Sequence, residues 1–397
     1  MKRWSERTLD ELGSIRRGRS RHRPRDAEHL YGGPYPFIQT GDVKHAALYI
    51  DSYTQTYSDA GLAQSRLWEP GTLCITIAAN IADTAILKIH ACFPDSVIGF
   101  IPYFEVSDAI FVKYLFDAML QKRLRAFSKG STQDNLSQEK LLSIKFLVPN
   151  FKMQQKIAFI LSAYDDLIEN NRRRIQLLEE AARQLYKEWF VRLRFPGHEH
   201  VKVVDGVPEG WERKVLNTIC IEKRETIAPQ KVNATTPYIG LEHMPRRSIS
   251  LCNWGSAIEI ESTKLAFKMG DILFGKIRSY FHKVGIAFVD GITSSDAVVL
   301  SPTEEKFRMY LLLNVSSDAF VAISAKTAKP GSKMPRADWK YLLTLPVLIP
   351  NDSALLLFNS FLCPLVAQLK LLSLTNHKLA QARDLLLPKL MSGEVAV

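Results

Sequence analysis

The chain repeats itself. Gly130-Ser131 and the run to Leu147-Val148-Pro149-Asn150 return about 201 residues later as Gly331-Ser332 and the run to Leu348-Ile349-Pro350-Asn351, and Pro36-Phe37-Ile38 returns as Pro237-Tyr238-Ile239 at the same offset. Trp4 with Glu6-Arg7 matches Trp211 with Glu212-Arg213 at an offset of about 206. Trp68-Glu69-Pro70-Gly71-Thr72-Leu73 matches Phe267-Lys268-Met269-Gly270-Asp271-Ile272 at about 199. Loops tolerate insertions, so drift of this size is what a duplication leaves behind. A chain of 397 residues is also about two to three times the length of a typical domain. One compact core is the least expected arrangement, and a duplicated pair of units is expected.

Within each repeat the first 150 or so residues carry short apolar runs bounded by Gly, Pro and Asp: Leu73 to Ala78, Ile272 to Phe274, Val284 to Phe288 and Ala297 to Leu300. These have the length and flanks of strands in a mixed α/β globule. The rest of each repeat is helical. Ile157, Leu161, Tyr164, Ile168, Asn171, Ile175, Leu178, Ala182, Leu185 and Trp189 step alternately by four and three, a 3.5-residue seam with one polar member. The same positions one repeat later are Phe358, Leu362, Leu365, Leu369, Leu372, Asn376, Leu379, Arg383, Leu386 and Leu390, a seam that Arg383 interrupts.

Two such helices, each about 33 residues and about 50 Å long at 1.5 Å per residue, must bury their seams, and the simplest partner of each is the other. A pseudo-two-fold arrangement would run them antiparallel with a globule at either end; the alternative, that each helix packs on its own globule, stays open, and Pro364 could kink the second. The expected class is α+β, with a globular domain over 1–150, a central spacer helix over 151–195, a second globular domain over 196–350 and a C-terminal spacer helix over 351–397.

Charge narrows the partners. There are 52 Lys and Arg against 41 Asp and Glu, a net +11 concentrated in the two globular blocks, which favours a polyanion. Five cysteines form no C-x-x-C pair and no metal-ligand spacing, and Met1-Lys2-Arg3-Trp4-Ser5-Glu6-Arg7 lacks the apolar core of a signal peptide, so a reducing cytoplasmic location is expected. Ala354 to Leu374 carries a single charge, Lys370, and imitates a membrane span. Asn359, Ser360, Gln368 and Pro364 interrupt it, and its equivalent in the first repeat is heavily charged, so no membrane partner is expected.

Catalytic signatures are missing. No G-x-G-x-x-G and no Asn/Asp-Pro-Pro-aromatic string occurs, as a methyltransferase would need. Gly270-Asp271-Ile272-Leu273-Phe274-Gly275-Lys276-Ile277 has phosphate-loop spacing but ends in Ile, which cannot ligate Mg²⁺, and its interior looks like a strand. Asp296 with Glu304 and Lys306 is a poor nuclease set beside the simpler reading of a solvated loop, and His198-Glu199-His200 lies in a linker without Cys. No catalytic residue, metal ligand or cofactor site is assigned.

Basic segments do have a plausible task. Arg16, Arg17, Arg19, Arg21, Arg23 and Arg25, broken by Gly18, Ser20 and Pro24, suit a mobile arm or loop that meets phosphates, or else a merely solvated run. Lys129, Ser131 and Thr132 match Lys329, Ser332 and Lys333 at equivalent turns, with Arg336 close behind, and each set offers Gly amides, hydroxyls and a cation to a phosphate. An ordinary surface turn explains them equally well. Lys276 and Arg278 follow a strand of the second repeat where Asn80 and Asp83 stand in the first. Different residues at matching loops would let two globules read different base sequences.

With these residues in view, the whole chain resembles the specificity subunit of Type I restriction-modification systems. The resemblance is carried by Tyr31-Gly32-Gly33-Pro34-Tyr35-Pro36-Phe37-Ile38-Gln39-Thr40-Gly41-Asp42-Val43, by Pro149 with Gln154-Gln155-Lys156-Ile157-Ala158, and by Leu185-Tyr186-Lys187-Glu188-Trp189-Phe190 running into Arg194-Phe195-Pro196-Gly197-His198-Glu199. Val207-Pro208-Glu209-Gly210-Trp211 opens the second half, and Leu386-Leu387-Pro388-Lys389-Leu390-Met391-Ser392-Gly393-Glu394 closes the chain. The resemblance implies two target-recognition domains, each binding half of a bipartite site on double-stranded DNA, and spacer helices that set the unread gap. It implies two modification subunits carrying S-adenosylmethionine and restriction subunits using ATP and Mg, while this chain binds no cofactor and catalyses nothing. Asn351-Asp352-Ser353-Ala354-Leu355-Leu356 departs from the pattern by lacking the Gln pair, so the second helix is expected to begin differently. Two other readings of the residues stay open: a coiled-coil scaffold with no DNA role, and a methyltransferase or nuclease with unrecognised motifs.

Overall fold

The computed structural model describes the chain apart from residues 1–3, 79–82, 129–137, 258–260, 329, 330, 332 and 396. It is an α+β protein made of two compact units, one formed by Met1–Glu169 with Lys378–Val397 and the other by Asn170–His377.

In the first unit a five-stranded sheet has the spatial order Gly13–Arg17, Val97–Pro102, Leu73–Thr76, Thr84–Leu87, Tyr49–Ile50, antiparallel except for its last pair. Strand side chains alternate faces. Leu73 and Ile75 therefore pack with Phe111, Val112, Leu115 and Phe116 of the helix Ala109–Ser128, while Cys74 joins Ile38, Val43, Trp68 and Phe93 on the opposite face. Burial on both faces is why these strands read as unbroken apolar runs. Trp68 stacks on Phe93 with ring centroids 4.6 Å apart. A Cβ at Gly99 would meet the Trp68 ring at 2.4 Å, so only Gly lets the indole lie on that strand.

The second unit repeats the sheet in the order Cys220–Lys223, Ala297–Pro302, Ile272–Gly275, Val284–Ala287, Ser250–Leu251, again with only the last pair parallel. Ile272 and Phe274 face the helices Arg308–Val315 and Asp318–Lys326, and Leu273 faces Ile239, Met244 and Phe267. Where the first unit sets Gly99 against Trp68, the second has the larger Val299 and the smaller Phe267 in one core cluster, so the two changes offset each other in direction. The phosphate-loop lookalike is the strand Ile272–Gly275 and the turn after it. A second sheet of five short strands in this unit, including Pro237–Ile239, Lys264–Phe267 and Gly291–Thr293, shrinks in the first to the pair Tyr31–Phe37 with Gln55–Tyr57 and the single bridges Phe37–Cys92 and Trp68–Ala91.

Each globule is closed by a two-stranded ribbon, Ser5–Arg7 with Phe146–Val148 and Glu212–Val215 with Pro346–Ile349, whose second strand runs into a long helix. The helices cover Phe151–Tyr186 and Asp352–Met391, the first continued by a π-turn at Lys187–Val191. Both start at the same point of the repeat. Asn150 Oδ1 accepts from the Met153 amide at 3.0 Å and Asn351 Oδ1 from the Ala354 amide at 2.9 Å, which satisfies an orphan N–H of each first turn. The expected difference in how the second helix begins is therefore not found. What changes is the set of first-turn side chains, above all a buried one: Gln154 donates to the carbonyls of Val106 and Pro149, both at 3.0 Å, whereas its equivalent Leu355 is buried among apolar groups. Pro364 lies within an uninterrupted helix, on its exposed side.

Candidate nucleic-acid interface and spacer helices

In the second unit the strand Ile272–Gly275 ends in a tight turn, with Arg278 at φ 48°. Ile277 bridges to Arg336, the Arg278 amide donates to the Pro335 carbonyl at 2.8 Å, and the Arg278 guanidinium donates to the Lys333 carbonyl at 3.2 Å. Lys276, Arg278, Lys333 and Arg336, separate candidates in the sequence, thus share one surface. Its described acid is Asp296, which pairs with Arg336 at 3.1 Å and so is not free to join Glu304 and Lys306 as a metal set. Lys306 pairs instead with Asp352 at 2.9 Å and Glu304 at 3.2 Å. Exposed Tyr280 packs edge-on against Phe281, and the Arg246 guanidinium lies 4.2 Å from the centre of the Phe281 ring. Forked guanidinium donors beside an exposed aromatic ring suit phosphate oxygens and base edges.

In the first unit the Arg run is a fastened loop rather than an arm. Arg16 and Arg17 lie on the strand Gly13–Arg17, the Gly18 and Arg19 amides donate to the Val97 and Phe93 carbonyls, and the His22 amide donates to Gln64 Oε1 at 3.0 Å. Arg17 donates to the Asp95 carbonyl, Arg25 pairs with the Asp95 carboxylate at 2.8 Å, and Arg23 donates to the Ser20 and His22 carbonyls. Those three are held by bonds within the unit, while Arg16 on the strand and Arg19 and Arg21 on the loop are exposed, with no side-chain partner among the described residues. Lys129, Ser131, Thr132, Lys329 and Ser332 lie outside the described residues, as does Asn80. His198 pairs with Glu199 in a single 3-10 turn.

The helical seam is enclosed within each unit. In the first, Ile157, Leu161 and Leu390 are buried in the domain core with Leu386 against them; Ile168 is buried, and Tyr164 and Leu379 are half-buried. Arg383, which seemed to break the seam, pairs with the buried Asp165 carboxylate, whose other oxygen accepts from the Tyr114 hydroxyl. Burial, followed by the Asp165 charge, drives the Tyr114 pKa far above its ordinary value, so the phenol stays a donor. In the second unit Phe358, Leu362, Leu369, Ala182 and Trp189 are buried in the core, Ile175, Leu178, Leu185 and Leu365 pack against it, and Leu372 is buried nearby. Asn171 donates to Asn376 Oδ1 at 2.9 Å and Trp189 meets Phe358 with centroids 5.5 Å apart, so rising numbers on one helix meet falling numbers on the other. The helices are antiparallel there. Helix and domain are also tied: buried Glu179 accepts from Ser248 Oγ at 2.7 Å, the Ser250 amide at 3.0 Å and Arg183 at 3.1 Å.

Residues 1–180 match the model of the Type I restriction modification DNA specificity domain. Across nearly the whole chain it is similar to the Type I restriction enzyme MjaIX specificity subunit of Methanocaldococcus jannaschii, 26% identical with 99% of this chain and 94% of the relative covered. By these matches the chain is similar to the specificity subunits of Type I restriction-modification systems, and its first 180 residues match their DNA specificity domain. A second relative, the HindI specificity subunit of Haemophilus influenzae, is 22% identical over 69% of this chain and 74% of its own length. The crystal structure of a Type I system S subunit from M. genitalium shares the fold, with a TM-score of 0.58 at 16% identity over 98% of this chain and 96% of that one.

Sequence reasoning missed three side chains of this protein. Arg66 lies 4.1 Å from the centre of the Trp68 ring, Arg246 covers Phe281, and Arg383 completes a buried ion pair. For Arg66 a signal existed, a lone cation two residues before the repeated aromatic; for the others none did.

Proposed function

We propose that the chain is the DNA-recognition subunit of a Type I restriction-modification complex, each globular domain reading one half of a bipartite duplex site. The observation that carries this is the duplicated sheet: two domains of identical strand order and register whose outer loops differ in sequence, on a chain similar to the specificity subunits. Conserved frames with divergent loops are what two independent readers of base edges require. Phosphate contacts set register, and a few side chains per domain supply discrimination. Lys276, Arg278, Lys333 and Arg336 are the proposed DNA-facing set of the second domain, and Arg16, Arg19 and Arg21 that of the first.

The paired helices set the gap between half-sites and dock two modification subunits, and restriction subunits join that assembly. This chain supplies no catalytic group; S-adenosylmethionine, ATP and Mg belong to the partners, and the complex works in the cytoplasm. The test is to map methylated sites in cells with and without the gene, modification subunits present. A bipartite motif that vanishes with the gene is expected; an unchanged methylation pattern would refute the reading. Inserting whole turns into both spacer helices should change the gap and leave the half-site bases alone.

A further inference from the structure

The two sheets allow the cations of one domain to be compared with those of the other position by position. Cys74 pairs with Gly99 and Leu273 with Val299, so Gly99 and Val299 are equivalent. Arg16 pairs with Gly99 and Lys223 with Val299, which makes Arg16 the counterpart of Lys223, Ile15 that of Glu222, and Arg17 that of Arg224. In the second domain these cations are neutralised where they stand. Lys223 Nζ lies 3.0 and 3.1 Å from the two oxygens of buried Asp271, and Arg224 donates in a fork to Glu222 at 2.9 and 3.0 Å. In the first domain both acids are gone. The counterpart of Asp271 is Thr72, whose hydroxyl donates to the Glu69 carbonyl at 2.7 Å, and that of Glu222 is the apolar Ile15.

More positive charge is added where neutralisation was removed. Ser65 Oγ donates to the Arg19 carbonyl at 2.9 Å and the His22 amide to Gln64, so the Arg loop is laced to the segment carrying Arg66. Arg66 is braced on the Trp68 ring, and its own counterpart in the second domain is Leu265. Partial burial, and after it the charges of Arg16 and Arg19, push the Arg66 pKa below its ordinary value, so both arginines stand close enough to act on Arg66.

We propose that Arg16, Arg19 and Arg66 form a phosphodiester-binding site on the first recognition domain that the second domain lacks. This rests on the reading of the chain as a DNA-recognition subunit. Three guanidinium forks on a strand, its loop and the adjoining segment exceed what one carboxylate could satisfy, and they match successive charges of a linear polyanion. Such a site adds affinity without adding sequence information, so the two half-sites contribute unequally to salt-dependent binding.

The test uses the chain assembled with its modification subunits and duplexes carrying the mapped methylation site or a scrambled sequence, titrated from about 50 to 200 mM salt. Each lost phosphate contact lowers the slope of log K against log salt by about 0.9. Arg16→Gln/Arg19→Gln/Arg66→Gln should lower it by about 2 to 3, weaken both duplexes alike and leave the methylated sequence unchanged. Arg19→Gln alone, at an exposed position that does not support the fold, should lower it by about 1. Lys223→Gln/Arg224→Gln should leave the slope as it is. An unchanged slope in the triple variant, an equal fall in the second-domain variant, or loss of modification-subunit binding with the slope intact would overturn the proposal. If the unmodified complex does not prefer its methylated site to the scrambled duplex, the DNA-recognition reading itself falls, and this site with it.

Discussion

Two residues show how buried charge is handled, and each gives a measurable outcome. Asp165 is almost fully enclosed, and its carboxylate is held by Arg383 and the Tyr114 hydroxyl. Removing one member of a buried pair leaves the other uncompensated, which costs about 3 to 5 kcal/mol, whereas replacing both by apolar groups of similar volume is often neutral. Arg383→Ala should therefore lower stability in chemical denaturation by about that amount, and Asp165→Leu/Arg383→Leu should recover most of it. His282 behaves differently. Its ring nitrogen contacts the Ser316 carbonyl at 2.7 Å, and burial, which outweighs that bond and the nearby Asp318 charge, lowers its pKa below the ordinary 6.5. The folded state thus prefers the neutral ring. Its contribution is complete above the unfolded pKa of 6.5 and is lost as the pH falls through the lower folded value. Melting temperature should fall as the pH drops from 7.5 to 5.5, with a shallower fall in His282→Asn, whose short polar side chain tolerates the left-handed backbone at φ 55°.

At the scale of elements, the long helices were legible because a seam of period 3.5 survives in a linear sequence whatever it packs against. Their partners were not. Asn171 and Asn376 fall at different steps of the seam, so repeat alignment sets them opposite Leu372 and Ile175, and only the antiparallel pairing reveals that they bond to each other. Arg383 looked like a fault for the same reason, since Asp165 sits one position off the seam and 218 residues away. A polar pair within an apolar seam fixes register at some cost in stability. Asn171→Leu should destabilise by about 1 to 3 kcal/mol by stripping Asn376 of this bond. The double variant Asn171→Leu/Asn376→Leu should regain that stability yet let the helices slip, which would appear as relaxed half-site spacing in the methylated sites. Unchanged spacing in the double variant would show that Glu179 and the domain contacts alone set the register.

For the whole molecule, the duplication was the feature most readily read, because each match is weak but their order and offset agree; the sheets then confirmed it pair by pair, down to Gly99 and Trp68 against Val299 and Phe267. The proposed DNA-facing residues were only half legible. Lys276 and Arg278 could be picked as cations after a strand, but their union with Lys333 and Arg336 depends on a bridge between Ile277 and Arg336 that spans 59 residues (336 minus 277) and leaves no local pattern. Among the described residues each five-stranded sheet is built from strands of its own repeat, and each unit has its own hydrophobic core. If each domain reads its bases through its own sheet and core, energies for the two half-sites should add. Replacing residues 1–150 with the matching domain of a related specificity subunit should therefore change the bases of one half-site only, keeping the other half and the gap. Sequencing methylated sites from cells carrying the chimaera measures all three at once. A shift in the second half-site would mean that the first domain tunes the second through the spacer helices, and additivity would fail by the free energy of that coupling.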